Sequence, residues 1–406
     1  MPRNKAFLSL GRPAPFEKHR GVHLDHSTIR GPLPFFNPTQ AQFRVEPEPS
    51  RPEPTEKRPA LSQVAVPEAT INWRSRDNRK GRHALQVDQS HPISTSTFRA
   101  VLHGLRLMCT SFPYWDVSYL VAVFFTIGCL VFIVCGFFSW LPLVAPHSEF
   151  HGEEIAADVT SFIGATLFQV GAVLLVFEAC NENQTGCFGW AIHNVFVTDK
   201  DNSENGETEG LLARADLKTC NHHHQRGGKG FSDQDQPERK WTWWPSWYEL
   251  KTHYIHEIGF VASISLAIGA TIFYICGICS LPGIYSNMSL GLARGIYWLT
   301  YLVGGVIFIF SSALYMLENQ PTWYTPAPHL LGWHIGLWNL IGSIGWTLAA
   351  SWGYCTSHGC EYQSELTLLW ASTAFFIGSA LQWYEAVNKY PVERAGKSGL
   401  LSFAKR

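Results

Sequence analysis

Six windows of this chain, 117–140, 159–177, 258–280, 295–317, 335–352 and 366–384, are apolar and contain no Lys, Arg, Asp or Glu. A window of about 17–25 such residues crosses roughly 30 Å of hydrocarbon at about 1.5 Å per residue. A backbone placed in lipid must close its own hydrogen bonds, so each window is expected to be a helix. Buried helices of soluble folds are usually shorter and carry a polar stripe, which these lack. Overall composition conceals the pattern: charged residues make up 16% of the chain, and most of them lie in 1–112 and 181–244. Met1 to Leu10 offers no signal-peptide core, so the first helix is expected to drive insertion.

The cations set the expected orientation. Seventeen Lys and Arg precede the first window, 8 lie in 181–257 and 5 follow Glu385, while 141–158, 281–293 and 353–365 hold none. Positive flanks stay cytosolic, which puts both termini and the long central loop in the cytosol of a plasma-membrane or endomembrane protein. Cys355 and Cys360 fall on the opposite side, where oxidation is permitted, and form a candidate disulfide. Asn287, in Asn287-Met-Ser289, is a candidate glycosylation site on that same side.

A repeat orders the windows. The second, fourth and sixth carry Phe168, Gly171, Leu174, Glu178; Phe308, Ser311, Leu314, Glu318; and Phe375, Gly378, Leu381, Glu385 at identical spacing. At about 100° per residue these positions share one helix face. The first, third and fifth carry Ile127-Gly128, Ile268-Gly269 and Ile341-Gly342, followed four residues on by Phe132, Phe273 and Trp346. Ahead of each hairpin stands an aromatic entry with proline: Pro113-Tyr-Trp115, Pro245-Ser-Trp-Tyr248 and Pro321-Thr-Trp-Tyr324. The expected fold is therefore all-α and polytopic, with six transmembrane helices as three tandem parallel hairpin repeats and disordered cytosolic segments. Its expected divisions are a largely disordered 1–112, hairpin 113–180, a disordered loop 181–244, hairpins 245–320 and 321–391, and a basic tail 392–406.

These hairpins resemble the YrhK-type membrane domain, a two-helix module rich in glycine. The run Trp243-Trp-Pro-Ser-Trp-Tyr-Glu-Leu-Lys-Thr-His-Tyr-Ile-His-Glu-Ile-Gly259 resembles fungal integral membrane proteins that carry it. The resemblance covers roughly 113–391; it implies a membrane fold and transfers no active site.

Outside the windows, residues 1–67 hold 12 of the 23 prolines and are expected to be disordered. The basic stretch Arg74 to Arg82 is expected to be a solvated topology determinant, or to meet the anionic leaflet. Residues 98–112 are expected to form an interfacial helix, with Arg99 and Arg106 snorkelling. His222-His-His224 lacks the spacing of a structural metal site.

No nucleotide loop, metalloprotease helix or nucleophile elbow occurs, so no catalytic residue, cofactor, metal or nucleic-acid partner is expected; the lipid bilayer is the expected partner. Ionisable groups gather instead at one level. Glu178, Glu318 and Glu385 close the even helices, and Asp116, His256, Glu257 and His334 open the odd ones. A carboxylate at a helix C-terminus opposes the macrodipole by about 0.3–1 kcal/mol, so three of them call for partners. They are expected either to accept hydrogen bonds from backbone amides or indoles as a structural lock, or to form an inter-helix layer that binds a cation or lines a pore mouth. Two functions stay open on the sequence: a facilitative pathway for a small solute, and a membrane anchor or scaffold that recruits partners through cytosolic segments. An enzyme is the weaker third, His256-Glu257 being its sole acid–base pair. A water-lined centre would favour the pathway, and a dry, Leu- and Phe-filled one the anchor.

Overall fold

The computed structural model describes residues 22–45, 69–82, 84–87, 97–193, 241–389 and 392–394. Five helices among them are long and apolar enough to cross a membrane: α3 (Val117–Val144), α4 (Glu153–Cys180), α6 (Ile258–Cys279), α7 (Leu290–Glu318) and α9 (His358–Val387). A sixth long helix, α8 (Leu331–Trp352), packs between α7 and α9. The six close a ring in the order α3, α4, α6, α7, α8, α9 and back to α3. Each hairpin thus pairs with itself and with both neighbours, and every helix buries one face towards a common axis.

Capping follows the sequence. Asp116 starts α3 by accepting the Ser118 amide (3.0 Å), and Ser357 starts α9 by accepting that of Cys360 (3.4 Å). Helices α4, α7 and α9 run past the apolar windows, which brings Asp158, Arg294 and Glu365 into them. The first six residues of α7 after Leu292, Ala293–Trp298, are π-helical. The far ends of the helices carry the Cys355–Cys360 disulfide, and a short turn in which Asn287 is exposed and donates to the Gly283 carbonyl (2.6 Å).

The axis is filled by aromatic rings. Phe132, Phe168, Phe273, Phe308, Trp346 and Phe375 come one from each ring helix, at the places where the sequence pattern recurs. Trp346 is completely buried and touches all five others, with centroids 4.5 to 6.0 Å away. Its indole N–H donates to Ser372 Oγ (3.1 Å), so the one polar atom of the cluster is satisfied.

At the other end the N-terminal segment departs from expectation. It is not disordered through 22–45, 69–82 and 84–87: it forms strands β1 (Val22–Arg30), β2 (Gln40–Val45), β3 (Ala69–Arg74) and β4 (Ala84–Val87). The first three pairings are antiparallel; β5 (Val392–Arg394), from the C-terminal tail, adds in parallel to β4. The all-α expectation fails here because short period-2 runs, such as Ala41 and Phe43 in β2, sit among prolines that mask them. Ala41, Phe43 and Trp73 bury together as a small core, with Leu24 and Ile29 against it. One sheet therefore joins both chain ends on a single face of the bundle. Helix α2 (Phe98–Thr110) lies beside it, packed through Gly104 on Tyr384 and Asn388 of the α9 end, with Phe98, Leu102 and Leu105 exposed. The short α5 (Trp247–Thr252) leads towards α6 under a complete capping box of Ser246 and Glu249. His222-His-His224, the sequences 46–68 and 194–240 and most of the 392–406 tail lie outside the described residues.

Candidate functional site: a charge lock between sheet and bundle

Strand β3 leads directly into α1 (Ser75–Arg79), a single turn of helix. Its start is fixed by the Ser75 amide, which donates to the Thr39 carbonyl (2.9 Å). Its end is fixed by Gly81, at φ +62°, which lets Arg82 N donate back to the Asp77 carbonyl (2.7 Å) before β4 begins. The turn points Arg76, Arg79, Lys80 and Arg82 into the mouth of the helix ring, where all four are buried.

There they meet the three carboxylates that the sequence pattern aligns. Arg79 donates through Nη1 to Glu178 Oε1 (2.8 Å) and through Nη2 to Glu318 Oε2 (2.7 Å), tying α4 to α7. Arg76 grips Glu385 with Nη2 (2.7 Å) and Nε (3.3 Å), and Arg82 Nη1 reaches the same carboxylate (2.6 Å). Lys80 Nζ stands 3.4 Å from Glu178 and 3.8 Å from Glu385. Ser75 Oγ donates to Glu318 (3.3 Å), and the Arg79 guanidinium lies over the Tyr315 ring (5.2 Å). Glu178, Glu318 and Glu385 are 0%, 2% and 1% exposed. Asp77 stands beside Arg82 (3.4 Å) and Arg74 (3.6 Å), so every buried cation of the turn faces a carboxylate. Burial lowers the Lys80 ammonium below the ordinary lysine range, with Glu178 opposing the shift.

Two expectations are corrected here. The Arg74 to Arg82 stretch is not a solvated charge run or a lipid contact, because its four inner cations are buried against the bundle. The three glutamates, expected to take backbone amides or indoles if structural, take guanidinium and ammonium groups of the same chain instead. The need for partners was legible; the partners were not, since a basic run beside prolines reads as surface.

Of the other residues expected at this level, three pin the sheet at its rim. Asp116 pairs with Lys389, which also donates to Thr185 Oγ1 (2.8 Å). Glu257 accepts from the Asn37 amide, the His256 carbonyl accepts from Asn37 N (2.8 Å), and Phe35 packs on the His256 ring (4.8 Å). His334 is bonded elsewhere: its Nε2 pairs with the Pro328 carbonyl (2.7 Å). Residues that the sequence did not single out complete the attachment. Gln40 Nε2 donates to the Asn319 carbonyl (3.0 Å), Asn183 N to the Asn78 carbonyl (2.9 Å) and Thr185 Oγ1 to the Lys80 carbonyl (3.3 Å).

Between the lock and the aromatic layer lies a cavity of about 30 Å³, roofed by Arg76, Arg79 and Lys80 and walled by Asn339, Ser379 and Gln382. Roughly 10–15 Å³ holds one water, so the space suits about two. Among the described residues no group of three or more His, Cys, Asp or Glu side chains is placed to hold a metal ion. No family model matches the chain, and no curated protein or solved structure does either.

Proposed function

We propose that this chain is a membrane anchor and scaffold that holds a folded cap of sheet at the cytosolic face for partners to engage. In this reading α8 is the sixth crossing, and the six helices are three copies of one hairpin, as the YrhK-type resemblance implies. The cap faces the cytosol because cations concentrate on its side of the chain. Trp247, Tyr248, Trp323 and Tyr324, all exposed at the cap end, form the interfacial belt of that side. Helix α2 lies along the bilayer there, its apolar side chains in lipid.

The observation that carries this reading is the closed axis. A conduit needs a path lined by polar groups or a constriction that can wet. Here five rings meet on a fully buried Trp346, and a cluster of paired charged side chains covers the mouth above them. Holding charges in a buried site is costly, and ion pairs there are best attested as fixing a register rather than adding stability. A lock of this kind places the cap on the bundle in one orientation.

The facilitative pathway has one observation in its favour. Gln382, 7% exposed, lines the cavity under the lock, as do Asn339 and Ser379, so polar side chains reach a largely apolar cavity on the axis. Flux by the purified chain in liposomes, across a panel of ions and small metabolites, separates the two. The anchor predicts no flux above protein-free liposomes. Saturable flux that Glu318→Gln abolishes would replace the anchor with the pathway.

A further inference from the structure

We propose that the glutamate ring is a receptor for a basic segment, built of three pockets of graded width, and that residues 75–82 occupy it as an exchangeable intramolecular ligand. The inference does not depend on whether the bundle conducts. It starts from a position that the sequence pattern aligns. Ten residues before Gly128, Gly269 and Gly342 stand Ser118, Gly259 and Gly332, in the first turns of α3, α6 and α8.

The two glycines make room for guanidinium groups. A methyl carbon at Gly259 would lie 2.6 Å from both Arg79 Nε and Glu318 Oε1. One at Gly332 would meet Asn319 Oδ1 first, and would lie 2.6 Å from Arg76 Nε and 2.7 Å from its Cδ. Each guanidinium therefore slides in over a bare backbone to reach the carboxylate at the end of a neighbouring helix. The third position keeps a side chain: Ser118 is completely buried beside Glu178. That pocket receives the slender Lys80 ammonium and only the tip of Arg79. Two wide pockets and one narrow one thus read an Arg, an Arg three residues on, and a Lys directly after it. Guanidinium is a planar fork and ammonium a point charge, so the pockets distinguish them by shape as well as charge.

A segment that meets the bundle through the side chains of one helical turn presents a contact that another chain can imitate. The partner class this assigns is a protein carrying Arg-x-x-Arg-Lys in a single helical turn, which would displace α1 and free the cap.

The test uses the full chain in lipid nanodiscs with Arg76→Gln, Arg79→Gln and Lys80→Gln together, which empties the pockets and keeps the glutamates. The probe is a labelled peptide with the sequence of residues 72–84. Saturable binding is expected, at least tenfold tighter than to the wild-type chain, whose pockets are filled. A peptide with both arginines changed to lysine should bind at least tenfold more weakly. Absence of binding by a monodisperse variant with wild-type helix content would overturn the receptor, as would equal binding of the lysine peptide, which would leave mere charge attraction. Should the triple variant not fold, Gly259→Ala in the otherwise wild-type chain decides, since its methyl meets Arg79 and Glu318 first and leaves every charge in place. Exchange of the Lys80 to Arg82 backbone amides should then rise at least tenfold, and an unchanged rate would overturn the graded pockets.

Discussion

Arg79→Ala should lower stability by about 3–5 kcal/mol, the cost typical of removing one partner from a buried ion pair. Arg79 is the residue at which the lock has least redundancy. It alone donates hydrogen bonds to two of the three glutamates, and its removal leaves Glu318 with the Ser75 hydroxyl as its remaining hydrogen-bond donor. Glu178 would keep Lys80, at the longer distance of 3.4 Å. The stranded carboxylate must then take up a proton or let water in, and either route loosens α1. Arg79→Lys should recover little, because one ammonium cannot span two carboxylates on different helices. Glu318→Gln added to Arg79→Ala should restore part of the loss, since it removes the uncompensated charge. Thermal unfolding of the four chains in one detergent measures this as a double-mutant cycle. A loss for Arg79→Ala below about 1 kcal/mol, the value typical of exposed pairs, would mean that the pairs are solvated.

Trp346→Ala should cost a comparable amount, about 3–5 kcal/mol, for a different reason. In lipid there is little hydrophobic force between helices, so packing and interhelical hydrogen bonds hold them together. Trp346 supplies both, touching the five other axial rings and donating to Ser372. Its loss leaves a void bounded by groups from all six ring helices, which no single side chain can relax to fill. Trp346→Phe keeps most of the ring area and should cost distinctly less. Unfolding measured on both variants checks the order; equal losses would mean that the indole is not the keystone of the axis.

The two predictions concern residues of unequal visibility in the sequence. Trp346 sits where Phe132 and Phe273 sit in the other odd helices, and Phe168, Phe308 and Phe375 recur on one face of the even ones. Period and spacing put the Phe of each even helix on one face and aligned the odd-helix rings, but left open whether the centre is dry or water-lined. The glutamates were legible for the same reason, together with the electrostatic anomaly of a carboxylate at a helix C-terminus. Arg79 was not. Its contacts with Glu178 and Glu318 lie 99 and 239 residues away along the chain, and nothing local in Arg74 to Arg82 marks those cations as buried. A clue was available in the spacing of Arg76, Arg79 and Lys80 against three aligned carboxylates. Using it required knowing that the N-terminal segment folds back, and that depends on a sheet whose strands are three to nine residues long. Strands that short, interrupted by the prolines of 47–54, carry too little periodic signal to compete with a reading of disorder. Gly259 and Gly332 were visible only as helix glycines; their use became clear once a guanidinium lay against each.

Hydrogen exchange of the full chain in nanodiscs tests the central claim, that the bundle's three glutamates hold the cap in place. The amides of Ser75, Lys80, Gly81 and Arg82, each bonded within the cap, should exchange slowly in the wild-type chain. In a chain with Glu178→Gln, Glu318→Gln and Glu385→Gln they should exchange at least a hundredfold faster, while those of α3, α4 and α6 stay protected. Slow exchange of the cap amides in both chains, or fast exchange in both, would contradict the account.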